Sequence, residues 1–160
     1  MPEEKTPLEI KQAATPAEVE QARELLVEYA NSLDFELCFQ AFERELADLP
    51  GAYAPPRGRL LLAYWEGALA GVIALRPYGD QDCEMKRFYV RPAFRGKGIG
   101  KALTAALLAA ARAEGYRRMV LDTVPSMAAA IALYKGLGFT ATDPYCHNPI
   151  AGATFMMLEL

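Results

Sequence analysis

Polar and apolar positions divide the chain into runs of two different periods. Leu8-Glu9-Ile10 alternates and predicts a short strand, whereas Val19, Ala22, Leu26, Ala30 and Leu33 follow at helical spacing. Thr15-Pro16-Ala17-Glu18 marks the start of that first helix: threonine caps it, proline suits the first helical position, and Glu18 completes a capping box. A second helical pattern, Phe35, Phe39, Phe42 and Leu46, stops at Pro50-Gly51, and residues 52–58 read as loop. Residues 59–65 and 68–76 are β-like runs flanking Glu66-Gly67, a two-residue connection suited to a hairpin. A third β-like run covers 83–90, after the Gly79-Asp80 turn. Glycine-rich residues 95–100 then lead into a helix reaching about Gly115, with Leu103, Leu107 and Ala111 on one face. Residues 118–124 predict a buried strand and 126–135 a helix ending at Gly136 or Gly138. Residues 139–145 and 154–160 predict two closing strands around the loop Cys146-His147-Asn148-Pro149.

Strands and helices alternate without repeat, low-complexity segment or linker, so the expectation is one mixed α/β domain over residues 7–160 behind a flexible segment, 1–6. A length of 160 residues suits a single domain, and a hydrophobic fraction of 52% suffices for its core. No window reaches the roughly 18–20 apolar residues that span a bilayer, so no membrane partner is expected. The start Met1-Pro2-Glu3-Glu4-Lys5 is polar and does not read as a secretory signal. Cys38, Cys83 and Cys146 form an odd, widely spaced set with no CxxC pair, against a disulfide framework and against a metal site. A reducing, cytoplasmic location is the expectation.

Charge changes the picture more than composition does. Lys86, Arg87, Arg91, Arg95, Lys97 and Lys101 fall in one stretch without an acidic residue, leaving 11 basic against 20 acidic residues elsewhere. A local basic segment in an acidic chain predicts docking of a discrete anion, whereas nucleic acid calls for a broader basic face. Within it, Arg95-Gly96-Lys97-Gly98-Ile99-Gly100-Lys101 lies between a strand and a helix, where backbone N–H groups and the helix dipole favour an anion. A Walker loop does not fit, because three residues separate Gly96 from Gly100 and Ala102 follows Lys101. A Rossmann fingerprint does not fit either, since Lys101 follows Gly98 at the distance where glycine is required.

The pattern Arg/Gln-x-x-Gly-x-Gly/Ala is met by Arg95, Gly98 and Gly100, after the strand Lys86-Arg87-Phe88-Tyr89-Val90 and the pair Arg91-Pro92. One strand and one helix downstream, Leu133-Tyr134-Lys135-Gly136-Leu137-Gly138-Phe139 resembles the "LYxxxGF" signature of the GNAT superfamily of acyl-CoA N-acyltransferases. The resemblance covers nearly the whole chain in element order and is motif-specific over residues 84–139. It implies a mixed, mostly antiparallel sheet of about six to seven strands with splayed parallel central strands, flanked by about four helices. It also implies acetyl-CoA as cosubstrate, lying between the strands 83–90 and 118–124. The pyrophosphate is then expected on Arg95, Gly96, Lys97, Gly98, Ile99, Gly100 and Lys101, and the acetyl carbonyl and pantetheine arm on main-chain groups of Phe88, Tyr89 and Val90.

Acetyl transfer to an amine needs acid–base help, because an alkylammonium with a pKa of about 10 must first lose a proton. The resemblance puts a carboxylate base at Glu84, and strand alternation places Glu84 on one face with Lys86 and Phe88. A surface carboxylate paired with a cation is the plainer alternative. Tyr134 is the proton donor that the resemblance assigns to the leaving thiolate, with a core tyrosine packing helix on sheet as its alternative. Met127 stands where many relatives carry asparagine. Tyr53, Arg57, Tyr145, His147 and Asn148 are acceptor-contact candidates from loop position alone, while Cys83 and Cys146 read as buried-type cysteines. The expected acceptor is a small-molecule primary amine; a protein or peptide N-terminus or lysine is the second reading, and a non-catalytic acyl-CoA-binding module the third. By analogy with the family, a homodimer could pair through residues 154–160.

Overall fold

The computed structural model describes residues 7–33 and 41–160. The expected flexible segment 1–6, together with Phe35, Cys38 and Phe39, lies outside the described residues. Among the described residues one sheet is formed by β1 (Leu8–Gln12), β2 (Arg59–Trp65), β3 (Ala68–Tyr78), β4 (Asp82–Val90), β5 (Arg118–Thr123), β6 (Thr140–Ala141) and β7 (Thr154–Glu159). Its order is β1-β2-β3-β4-β5-β7-β6, and β4–β5 is the parallel pair among otherwise antiparallel neighbours. Four α-helices flank it among the described residues: α1 (Pro16–Ser32), α2 (Phe42–Asp48), α3 (Ile99–Ala113) and α4 (Ala128–Gly136). This is the mixed, mostly antiparallel architecture that the family resemblance implies.

Local chemistry explains the boundaries. Thr15 Oγ1 accepts from the Glu18 N–H at 3.2 Å while Glu18 Oε1 accepts from the Thr15 N–H at 3.0 Å, closing the predicted capping box of α1. Glu66 and Gly67 both take positive φ, 50° and 84°, as a tight hairpin turn between twisted strands requires. The run Leu60-Leu61-Leu62 is apolar throughout because both faces of β2 are covered. Leu61 packs with Leu103 and Leu107 of α3, whereas Leu60 and Leu62 pack with Leu25 and Leu26 of α1. Each such leucine, fully buried, contributes about 1.5–3 kcal/mol, so the two cores hold the sheet from both sides.

Two irregularities shape the centre of the sheet. First, β4 and β5 pair only where Asp82, Cys83 and Glu84 meet Arg118, Met119 and Val120; beyond that the strands part. Second, β4 carries a bulge. Ala74 pairs with Lys86 and Val72 with Tyr89, so Ile73 alone faces Arg87 and Phe88, and Arg87 takes a φ of 59°.

The bulge corrects the expected facing of Glu84, Lys86 and Phe88. Glu84 and Lys86 lie opposite Arg76 and Ala74 on the α1 side, whereas Phe88 packs into the α3 core beyond the extra residue. The expected strand 139–145 shrinks to the two residues of β6, opposite Met156 and Met157 of β7. With Pro144 and Pro149 interrupting the ladder, the chain leaves the sheet there as a loop over the end of β5.

Candidate active site

The gap between the splayed strands holds a narrow chamber of about 60 Å³, walled by Lys86, Arg87 and Phe88 of β4, Asp122 and Thr123 of β5, and Tyr134 of α4. A larger groove of about 570 Å³ runs from it past Tyr89, Val90 and Leu133 to Arg95. Chamber and groove share Tyr29, Phe88, Met127 and Ala130 as lining residues. Together they form one channel from the glycine loop to the interior of the sheet.

The outer end is built from backbone. Gly96 and Gly98 take φ of 81° and 78°, and a Cβ on either would meet nothing within 4 Å, so their surface is open to a ligand. Gly98 caps α3, and the first-turn N–H groups of a helix lack partners within it. Gly100 is needed for another reason: a Cβ there would stand 2.9 Å from Phe88 Cζ. Arg95 braces the loop by donating from Nε to the Val90 carbonyl at 3.1 Å, and Lys97 lies over the Trp65 ring at 5.3 Å. Ile99 is buried in the α3 core, so only its backbone is available, while Lys101 is exposed.

The basic segment divides in function. Arg91 binds Glu28 at 2.6 Å and Glu24 at 3.1 Å on α1, and Arg87 makes a two-pronged pair with Glu45 on α2 at 2.8 and 2.9 Å. Among the described residues, Arg95, Lys97 and Lys101 form no ion pair with a carboxylate, and they surround the loop. The anion-docking charge is therefore half of what the sequence count suggests.

The inner end is built from side chains. Glu84 is 1% exposed, and both of its oxygens are engaged: Arg76 binds Oε1 at 2.8 Å, and the Tyr145 hydroxyl donates to Oε2 at 2.6 Å. Lys86 Nζ stands 4.0 Å from Glu84 and 4.0 Å from Asp122, and burial lowers its pKa against the pull of both carboxylates. Asn148 donates from Nδ2 to Asp122 Oδ2 at 3.0 Å. Tyr134 sits between Phe88 and Phe139, with ring centroids at 6.2 and 5.8 Å. Burial, then the neighbouring Tyr29 and Asp122, raise its phenol above the ordinary value. Tyr29 is pushed up to about 12, chiefly by burial. Ligand atoms of Glu84, Asp122 and Cys146 lie within 4.8 Å of one another, an acidic trio able to take a cation, with Lys86 beside both carboxylates.

The expected residues thus separate. Tyr134, Phe88 and Asn148 line the chamber, and Tyr89, Val90 and Arg95 line the groove. Glu84 stands behind the chamber, held by Arg76 and Tyr145. Tyr53 is 2% exposed in the α1 core, and Arg57 pairs with Glu114 and lies 4.2 Å over the Tyr116 ring, neither on the channel. His147 is exposed, and Cys146 is exposed rather than buried because residues 142–153 leave the sheet. Sequence reasoning missed Asp122, Lys86, Arg87 and Thr123 as chamber residues. One signal was available: Asp122 is the lone carboxylate of its strand and follows the apolar run Met119-Val120-Leu121, where an unpaired charge is costly.

Two features fit an acyl-CoA thioester. The open, left-handed glycines at a helix N-terminus suit a pyrophosphate, and Thr123 Oγ1, buried with no partner among the described residues, supplies an unmet hydrogen-bonding group inside the chamber. The fold and channel define an acyl-CoA-dependent transferase. The profile of the acetyltransferase (GNAT) family matches residues 19–139, and the chain belongs to that family. It is 38% identical over 155 residues to an uncharacterized N-acetyltransferase of Schizosaccharomyces pombe, covering 96% of this chain and 95% of that protein. It is 34% identical over 121 residues to the N-acetylaspartate synthetase of Rattus norvegicus, covering 74% of this chain and 40% of that protein. An acetyltransferase structure from Streptococcus agalactiae shares the fold with a TM-score of 0.78 at 23% identity, over 97% of this chain and 99% of that one. The protein is an acetyl-CoA-dependent acyltransferase.

Proposed function

We propose that this enzyme acetylates the primary amine of a small molecule, with amine and acetyl-CoA bound together. The observation that carries the reading is the narrow chamber at the end of the channel, across whose inner side Tyr145 and Asn148 are tied to Glu84 and Asp122. A tied loop and a chamber of about 60 Å³ suit the end of a small molecule better than an extended peptide. The relative named N-acetylaspartate synthetase supports a small acceptor.

In this reading Arg95, Gly96, Lys97, Gly98, Ile99, Gly100 and Lys101 hold the pyrophosphate through backbone N–H groups and local charge. Phe88, Tyr89 and Val90 line the arm's path, with Met127 filling the junction where relatives carry asparagine. Bound acetyl-CoA supplies the activated acyl group. Tyr134, its pKa raised by burial and by nearby negative charge, keeps its proton at neutral pH and donates it to the leaving sulfur. Glu84 acts as base from behind the chamber, with the chamber-lining Lys86 4.0 Å from its carboxylate. The reading keeps the enzyme in the reducing cytoplasm, supported by the free thiols of Cys83 and Cys146. It also keeps a homodimer through β7, whose outer edge β6 covers only at Met156 and Met157.

The test is thiol release from acetyl-CoA across amines, amino acids, polyamines and short peptides, with Tyr134→Phe beside the wild type. Release that depends on a small amine and collapses in the variant supports the reading. Release with peptides alone moves the acceptor to a protein, and binding of acetyl-CoA without release under any amine makes the chain a non-catalytic acyl-CoA-binding module.

A further inference from the structure

Among the described residues, Glu84 and Asp122 both approach Lys86 at the chamber, and they are not equivalent. Glu84 has its charge met by Arg76 at 2.8 Å and does not line the cavity. Asp122 does line it, with a side chain only 6% exposed. Its Oδ2 accepts from Asn148 at 3.0 Å, and a weaker contact reaches it from the Cys146 thiol at 3.9 Å. Its Oδ1 has Lys86 Nζ at 4.0 Å, beyond hydrogen-bond reach, and no cation comes closer among the described residues. A buried carboxylate is costly unless a cation meets it, so this oxygen offers a strong place for one.

The field of Asp122 is felt throughout the chamber. After burial, its charge is among the causes that raise Tyr29, Tyr134, Tyr145 and Cys146, from three different segments of the chain. Alternation along β5 places Asp122 on the opposite face from Leu121, which packs in the same core as Tyr134. The carboxylate and the phenol therefore enter one small cavity from opposite faces of the sheet, through the gap where β4 and β5 part.

We propose that Asp122 seats the primary ammonium group of the acceptor, with Asn148 fixing the carboxylate and leaving Oδ1 for the substrate. The inference rests on the reading that the acceptor is an amine, and it names the group that receives it. A primary ammonium suits the place because its charge meets Asp122, among the described residues the poorly neutralised carboxylate that lines the chamber. Lys86 is then a resident competitor for the same oxygen, and its removal strengthens binding.

The test is equilibrium binding of ethylammonium to the CoA-loaded protein, followed by NMR so that no turnover is involved. Asp122→Asn is expected to weaken binding about tenfold or more, Glu84→Gln to stay within about threefold, and Lys86→Met to strengthen binding about threefold or more. The opposite signs guard against misfolding, because a disordered variant does not gain affinity. Unchanged binding in Asp122→Asn, weaker binding in Lys86→Met, or a wild-type complex that takes up no ethylammonium would each overturn the seat. A wild type that binds ethylammonium through Asp122 but releases no thiol from acetyl-CoA with any amine refutes the proposed function and leaves the seat standing.

Discussion

The glycine-loop end of the channel and its charged inner end solve their binding problems in different ways. At the loop, conformation does the work: left-handed glycines and the first turn of α3 present N–H groups, and few side chains are committed. At the inner end, Arg76, Glu84, Lys86, Arg87, Asp122, Tyr145, Asn148 and Glu45 come from five separate segments and hold one another by hydrogen bonds and ion pairs. A backbone-made site tolerates side-chain change but not backbone change. A network of buried charges behaves in the opposite way, because each partner removed leaves a charge uncompensated.

Breaking the network should produce the largest effect. Glu45→Ala removes the two-pronged carboxylate partner of Arg87, whose side chain is 2% exposed, and is expected to cost about 3–5 kcal/mol of stability in urea unfolding. A loss near that of a surface pair, about 0–1 kcal/mol, would show that the inner end is not held by its charges. Next comes chemistry: Tyr134→Phe should cut turnover about 100-fold or more while acetyl-CoA binding by calorimetry stays close to wild type. Gly98→Ala, at a φ of 78°, should cost about 1–2 kcal/mol through backbone strain and weaken acetyl-CoA binding. Lys101→Ala should weaken it less; the reverse order would make the loop a side-chain site after all.

The smallest effect belongs to a control far from both ends. Glu18 is lowered to about 2 by the hydrogen bond from Lys11 and then by the backbone N–H groups of Thr15 and Ala14. A depressed carboxylate stabilises the fold above its unfolded pKa and loses that contribution as pH falls through its folded value. Acid titration followed by circular dichroism should therefore show a component between about pH 4.5 and 2 that disappears in Glu18→Gln.

The same contrast explains what could be read beforehand. The start of α1, the Glu66-Gly67 hairpin, the loop from Arg95 to Lys101 and the Tyr134 signature are contiguous, and each depends on residues within one turn or one strand. They were legible. The inner end depends on the bulge at Arg87, which shifts every later position of β4 by one and defeats the alternation argument for Glu84 and Phe88. It also depends on residues 142–153 leaving the sheet, which brings Tyr145 to Glu84 and Asn148 to Asp122 across 61 and 26 positions of sequence. Neither a two-residue period nor a local motif encodes such pairings.

That extra residue in β4 also sets a rule of parity for the molecule. Drawing Arg87 into the ladder with no residue removed would flatten the bulge, and Phe88 would then turn away from Tyr134 toward Tyr29 while Tyr89 turned into the α3 core. The same flattening would reverse the side on which the chain enters the glycine loop, whereas deleting Arg87 would keep both facings. Point changes in this strand can be gradual, but parity is all or nothing: a change of length by one preserves the handing of the channel only where the bulge absorbs it.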